Sequence, residues 1–139
     1  MSPRFILSAL ALSVGLVAVA SVTGTGTAVA QTAAVKGDAA TGAKLFVQCR
    51  ACHTVNPGGR DGVGPNLAGV IGAKAAARAT YKYSPALQKS NIRWTKASMD
   101  NFLKRPSAAV PGNKMAFGGM ANPKARADVV AYLETLNAK

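Results

Sequence analysis

The residues best suited to chemistry lie together in the pentapeptide Cys49-Arg50-Ala51-Cys52-His53, which holds both cysteines and the one histidine of the chain. Thiols three residues apart share a face of a helical turn, so both can reach the two vinyl groups of one porphyrin. The histidine that follows is then positioned to ligate the iron. This spacing is the attachment pattern of c-type haem. It predicts one haem c, held by thioether bonds at Cys49 and Cys52, with His53 as an axial ligand.

Other uses of paired cysteines fit this sequence less well. A zinc site needs about four protein ligands, whereas this chain has two cysteines and one histidine. A thioredoxin-type redox pair accompanies a βαβ pattern, and the sequence has none. A disulfide across a single turn closes a very short loop and stabilises a fold little. Haem attachment is favoured, and a redox or structural disulfide is the main alternative.

A second axial ligand would have to come from a methionine sulfur, because the chain has no further histidine. Met99 lies on an amphipathic helix and Met120 directly before a helix start, where packing is the simpler explanation. Met115 ends the loop 111–115, which proline stiffens and glycine turns, and a loop can direct a thioether inward. We therefore predict Met115 as the ligand, with Met99 and Met120 as alternatives. Histidine and methionine together leave iron no open position, which predicts electron transfer and not an enzyme.

Residues 1–30 have the features of a secretory signal peptide. Arg4 is their only charge, an apolar or small run extends over residues 5–22, and small residues lead to Ala30. The run is about 18 residues long, the lower limit for a spanning helix, so an uncleaved anchor is the alternative to cleavage after Ala30. Cleavage predicts a periplasmic protein without membrane insertion, and an anchor predicts one attached on the periplasmic side.

Residues 31–36 are predicted to be a flexible lead-in, and residues 37–139 a single small domain. The formal net charge of +12 falls to +11 without the leader. Such a charge predicts acidic partners reached by electrostatic steering, with improved solubility as the alternative explanation. Nucleic acid is not expected, because no basic run exceeds two residues, no aromatic pattern accompanies the charge, and the leader predicts export.

Capping residues and apolar spacing predict an all-α domain with loops over residues 57–72 and 111–119. Residues 73–79 fit a helical turn or an extended loop. No segment has the alternation expected of a strand. The predicted helices run from Asp38 to about Cys49, from Ser84 to Lys89, from Thr95 to a stop at Pro106 with Met99, Phe102 and Leu103 inward, and from Asn122-Pro123 onward with Val129, Tyr132, Leu133 and Leu136 buried.

With these motifs, the sequence resembles the class I cytochromes c over nearly the whole predicted domain. The resemblance rests on the pentapeptide, on Gly64-Pro65-Asn66-Leu67, on Tyr83 and Trp94, and on the loop that ends at Met115. It implies helices packed around one covalently bound haem c. It also implies a close crossing of the first and last helices at Gly42, Phe46, Tyr132 and Leu133.

The resemblance implies roles for residues around the haem. The carbonyl of Pro65 would accept the second ring N–H of His53 and orient the imidazole. Tyr83 and Trp94 would donate to a haem propionate, although both could instead be core aromatics. The other implied haem neighbours are Asn113 near a propionate, Leu67 against the ring and Phe117 beside the exposed haem edge.

Three residues depart from the pattern of many relatives. Phe102 stands where a tyrosine often donates to the methionine sulfur, Ala73 where an arginine lies near the propionate, and Leu87 where an asparagine joins a water network. Loss of a nearby cation or of a donor to sulfur favours ferric iron. The departures predict a reduction potential on the lower side of the family's range.

The implied function is that of a soluble, monomeric, periplasmic one-electron carrier. Its donor would be a quinol-oxidising cytochrome complex or a dehydrogenase, and its acceptor a terminal oxidase, a photosynthetic reaction centre or a reductase. The alternatives are a membrane-anchored module of a respiratory complex and, with less support, a haem peroxidase or gas-binding protein. Acidic partner surfaces would dock on the cations that match the haem rim, Lys44, Arg60 and Lys114, and on Lys104 and Arg105 nearby.

Overall fold

The computed structural model describes residues 35–137, which contain five α-helices and one short 3₁₀-helix. The predicted signal peptide, residues 1–30, and most of the predicted lead-in, residues 31–36, lie outside this range. None of the helices within it is long and apolar enough to cross a membrane. The helices are α1 (Ala39–Leu45), followed by the 3₁₀-helix (Phe46–Gln48), α2 (Pro85–Lys89), α3 (Lys96–Lys104), α4 (Pro106–Ala109) and α5 (Pro123–Thr135).

The first and last helices, α1 and α5, cross at very short distance. A Cβ atom on Gly42 would lie 1.9 Å from the backbone oxygen of Asp128, so only glycine fits this position. Phe46, at the end of α1, packs its ring against Tyr132 with 5.1 Å between the centroids. Leu133 on α5 is 2% exposed. The predicted crossing is confirmed at Gly42, Phe46 and Tyr132, and Leu133 is buried on the same helix as Tyr132.

The helix that starts at Asp38 is shorter than predicted. The Asp38 carboxylate accepts the N–H of Thr41 at 2.7 Å and caps α1 as expected. However, α1 ends at Leu45 instead of near Cys49, because the chain tightens there into the 3₁₀-helix. The Cys49 N–H accordingly bonds the Phe46 oxygen, three residues back, at 2.8 Å. The pentapeptide therefore lies on consecutive turns after the helix and not on it.

Pro106 ends one helix and begins another. α3 stops at Lys104 as predicted, Arg105 is extended, and Pro106 then occupies the first position of α4, a helix that the sequence analysis missed. Proline suits that position because the first N–H groups of a helix have no intrahelical partner. The predicted inner face of α3 is confirmed, since Met99, Phe102 and Leu103 are all buried.

Residues 73–79 form no helix: Lys74 lies in a short extended bridge, and the residues around it form bends and turns. The Ala75 N–H bonds the oxygen of Ile92 at 2.7 Å, and the Trp94 N–H bonds the oxygen of Ala73 at 2.9 Å. Lys74 and Arg93 form an isolated antiparallel bridge between them. This pairing is too short to produce strand alternation in the sequence, but it fixes Trp94 beside Ala73.

α5 begins as predicted with Asn122 as cap and Pro123 in the first turn. Its buried face differs slightly from the predicted one: Val129 and Leu133 are buried, Tyr132 and Leu136 are half-buried, and Val130, which was not predicted, is also buried. α5 packs against both α1 and α3, and Val130 belongs to the buried core cluster.

We expect Gly42→Ala to destabilise the domain strongly. Alanine would improve the helix propensity of α1 by about 1 kcal/mol, but overpacking typically costs about 1–3 kcal/mol, and a backbone oxygen at 1.9 Å places this clash at the upper end of that range. The clash should therefore dominate and lower the free energy of unfolding, measured by denaturant titration. Gly118→Ala is the matched control, because a Cβ there has nothing within 4 Å. Equal stabilities of the two variants would contradict the assigned crossing.

Candidate functional site

One cavity of about 310 Å³ collects every residue that was predicted to hold or contact a haem. Its walls come from the end of α1 and the pentapeptide, from the loop after it, from α3 and from the methionine loop. The residues brought together are Cys49, Cys52, His53, Pro65, Leu67, Tyr83, Trp94, Asn113, Met115 and Phe117.

The imidazole of His53 is oriented by the backbone. Its Nδ1 lies 2.7 Å from the carbonyl oxygen of Pro65. Since a carbonyl only accepts, Nδ1 carries the proton and Nε2 keeps a lone pair available to a metal. A Cβ on Gly64 would lie 2.4 Å from Cε1 of this ring, so glycine is required for the loop to approach the imidazole. This is the contact that the resemblance implied for His53 and Pro65.

The two thiols lie on the same cavity wall and are not joined in a disulfide. Cys49 is half-buried and Cys52 is exposed. Burial raises the pKa of the Cys49 thiol, and the neighbouring Cys52 raises it further, so Cys49 is protonated at neutral pH. The N–H of His53 bonds the oxygen of Cys49 at 2.9 Å, which holds the histidine directly beside the thiols.

The methionine loop is shaped by the side chain of Asn113. Its amide nitrogen donates to the oxygens of Pro106, at 2.9 Å, and of Val110, at 2.8 Å. Its amide oxygen accepts the N–H of Met115 at 2.9 Å. Both amide hydrogens are therefore used within the protein, and Asn113 fixes the loop instead of donating into the cavity.

Of the three candidate methionines, two line the cavity. Met115 reaches it from the loop and is half-buried, whereas Met99 reaches it from α3 and is 6% exposed. Met120 is not part of the wall; its N–H bonds the oxygen of Leu103 at 2.9 Å and its side chain packs against the core. The structure thus separates Met120 from the site and leaves Met115 and Met99 there.

Trp94 and Tyr83 bring polar hydrogens to the cavity. Trp94 is 7% exposed and packs edge-on against Phe102, with 5.0 Å between ring centroids. Its indole N–H makes no hydrogen bond within residues 35–137 and is not enclosed by protein atoms, so it is open to an acceptor at the cavity. Burial raises the pKa of the Tyr83 hydroxyl, an effect that the backbone N–H of Arg78 partly offsets, so this hydroxyl stays a neutral donor.

The residues present fit a haem. Two thiols match covalent attachment, the free Nε2 of His53 and a methionine sulfur match the two axial positions, and Leu67 and Phe117 add apolar surface. The unpartnered indole N–H of Trp94 matches a carboxylate acceptor, which a propionate provides.

Several cavity residues were missed by the sequence analysis, among them Arg78 and Tyr81. The segment that carries them has no helical or strand periodicity, so its side-chain directions could not be predicted. Of the predicted docking cations, Lys114 is exposed at the cavity wall, donates to the oxygen of Lys82 and stacks over Tyr81 at 4.6 Å. The others, Lys44, Arg60, Lys104 and Arg105, are exposed and lie outside the wall.

Comparison with known proteins gives a consistent result. The sequence model of the family described as Cytochrome c matches residues 39–137. The chain is 46% identical over 99 residues to cytochrome c2 of Rhodomicrobium vannielii, covering 71% of this chain and 79% of that one. It is 43% identical over 99 residues to cytochrome c of Kluyveromyces lactis, covering 70% and 90%.

A solved structure agrees with these sequences. Cytochrome cH from Methylobacterium extorquens superposes with a TM-score of 0.68 at 46% identity, covering 71% of this chain and 99% of that one. Both the sequence of the domain and its helical fold around the cavity thus point to the same family. The chain belongs to the cytochrome c family, whose members are electron carriers with one covalently bound haem c.

Proposed function

We propose that this protein is a soluble one-electron carrier of the periplasm, with haem c bound through Cys49 and Cys52 and ligated by His53 and Met115. The observation that carries the proposal is that these four side chains line the same cavity. When bound, the haem supplies a one-electron Fe(III)/Fe(II) couple. The protein residues would attach the haem, hold its ligands in place and keep small ligands and substrates away from the iron.

Rigid ligands suit electron transfer, because a carrier works best when its surroundings rearrange little. The Nδ1–H of His53 donates to the carbonyl oxygen of Pro65, with 2.7 Å between nitrogen and oxygen. This bond fixes the orientation of the ring and leaves Nε2 as the nitrogen that can ligate iron. Asn113 fixes the backbone at Met115 through its three hydrogen bonds. With His53 and Met115 as its protein ligands, the iron would have no position open to small ligands or substrates.

We expect Met115→Ala to open the iron. The haem-loaded wild type should have the weak far-red absorption of ferric iron bonded to methionine sulfur, and its reduced form should not bind carbon monoxide. Met115→Ala should lose that band and bind carbon monoxide. Met120→Ala is the control, because Met120 is outside the cavity wall.

Met99→Ala tests the remaining alternative. Loss of the band in this variant, with the band retained in Met115→Ala, would show that the loop assignment is wrong. Carbon monoxide binding by the wild type would instead favour a peroxidase or gas-binding protein.

Acidic residues are scarce and structurally engaged, which favours acidic partners. All five carboxylates of the chain lie within residues 35–137. Asp38 caps α1, and the other four form ion pairs with Arg78, Lys96, Lys124 and Arg126. The predicted docking cations take part in none of these four pairs and remain exposed, namely Lys44, Arg60, Lys104, Arg105 and Lys114.

Charge should therefore control the reaction with small redox probes. We expect oxidation of the ferrous protein by the anionic hexacyanoferrate(III) to slow steeply as salt rises, because salt screens the attraction. Oxidation by a cationic cobalt(III) phenanthroline complex should accelerate. Stopped-flow absorbance measures both rates, and salt-independent rates with the two probes would refute steering.

Export is the basis for the periplasmic assignment. We propose that residues 1–30 are a signal peptide. The mature protein would accept electrons from a quinol-oxidising complex or a dehydrogenase and pass them to an oxidase, a reaction centre or a reductase. We expect N-terminal sequencing of the haem-loaded protein from a periplasmic extract to begin at Gln31. An intact leader in the membrane fraction would support the anchored alternative.

A further inference from the structure

Arg78 is a cation of the cavity wall that the pattern of relatives did not predict. It lines the cavity, and its side chain is 29% exposed. Lys74 and Lys114 also reach this wall, but both are exposed, so solvent and salt screen their charges more strongly. Arg78 is thus the least solvent-exposed of these three cations at the wall.

Two contacts hold one edge of the Arg78 guanidinium. Nε donates to Oδ1 of Asp61 at 2.7 Å, and Nη2 donates to the oxygen of Gly59 at 3.0 Å. The third nitrogen, Nη1, makes no hydrogen bond within residues 35–137. A planar guanidinium bound along one edge is fixed in orientation, while its other edge stays available to a second acceptor.

Asp61 is itself anchored on several sides. Its carboxylate accepts the N–H of Asn66 at 2.8 Å and the hydroxyl of Thr80 at 2.7 Å, in addition to Nε of Arg78. These three donors, the Asn66 N–H first among them, hold the pKa of Asp61 below its ordinary range, so it is ionised at neutral pH. Asp61 does not line the cavity. Of the two charges in the pair, Arg78 is therefore the one that faces the site.

The same segment is tied down on either side of Arg78. The hydroxyl of Tyr81 donates to the oxygen of Val63 at 2.7 Å, and the ring of Tyr81 lies edge-on to Tyr83 at 4.8 Å between centroids. Lys114 donates to the oxygen of Lys82 from the methionine loop. The segment 78–83 thus bridges the loop that orients His53 and the loop that carries Met115.

We propose that Arg78, which Asp61 and Gly59 hold in place, directs a fixed positive charge at the propionate end of the haem site and thereby raises the reduction potential of the haem. The inference rests on the proposed haem ligation. Ferric iron carries one more positive charge than ferrous iron, so a nearby fixed cation disfavours the ferric form. Arg78 would thereby compensate, from a different segment, for the cation missing at Ala73.

The test is the midpoint potential of haem-loaded variants, measured by optical redox titration. Arg78→Gln keeps a polar side chain of similar length and removes the charge, and its potential should fall below that of the wild type. Arg78→Lys keeps the charge and should recover most of the difference. Arg93→Gln is the matched control, because Arg93 is an exposed arginine outside the cavity wall, and its potential should equal that of the wild type.

Moving the positive charge from position 78 to position 73 tests whether Arg78 acts through its charge or by holding the loop in place. Ala73 lines the same cavity, so the double variant Arg78→Gln, Ala73→Arg should regain a higher potential than Arg78→Gln alone. A loosened loop would not be repaired by that change. An Arg78→Gln potential equal to that of the wild type, or a double variant no higher than Arg78→Gln, would overturn the proposal.

The spectra distinguish failure of this inference from failure of the proposed function. If the methionine–iron band is present in all variants but Arg78→Gln has the same midpoint potential as the wild type, only the inference fails. If the wild type lacks the band, the ligand assignment fails and the inference falls with it.

Discussion

The close approach of α1 and α5 at Gly42 is the constraint on which the rest of the structure depends. A Cβ on Gly42 would lie 1.9 Å from the Asp128 oxygen, so the backbones of the two helices are in direct contact. Phe46 and Leu133 are buried at this crossing. These same two residues also line the haem cavity. The crossing therefore closes the core and supports one wall of the site. The 3₁₀-helix that follows α1 then determines the position of Cys49 at the cavity.

Backbone carbonyls and amides, more than side-chain pairs, fix the functional groups. Pro65 orients His53 through its oxygen, and Asn113 binds three backbone groups around the methionine loop. Arg126 does the same for the end of that loop: its side chain is 8% exposed, and it donates to the oxygens of Met120 and Ala121 at 2.8 and 2.9 Å. Such contacts hold long loops in place where no regular secondary structure could.

The few carboxylates of this basic chain are used for structure. Asp61 joins the loop before Gly64 to the segment around Arg78, Asp100 pairs with Arg126, and Asp128 accepts the N–H of Asp38 at 2.6 Å and ties the start of α1 to α5. Because these carboxylates are engaged in the fold, most of the exposed lysines and arginines form no ion pair within residues 35–137. Stability and the positive surface thus arise from the same distribution of charge.

The sequence alone determined those features whose physical cause is local. The spacing Cys49 to His53 predicts haem attachment because thiols and imidazole must meet one ring, and the caps at Asp38, Ser84, Thr95 and Asn122 mark helix starts because each satisfies N–H groups within a few residues. All four helix starts are confirmed.

Only the tertiary structure decided the features that depend on contacts distant in sequence. The pairing of residues 73–75 with 92–94, the burial of Val130 and the separation of Met120 from the cavity follow from packing between elements. The position of Arg78 is the clearest case: its segment has no periodicity, and its direction is set by Asp61, 17 residues away. Local spacing specifies the chemistry of this site, whereas its electrostatic surroundings arise from loops that meet only in the folded chain.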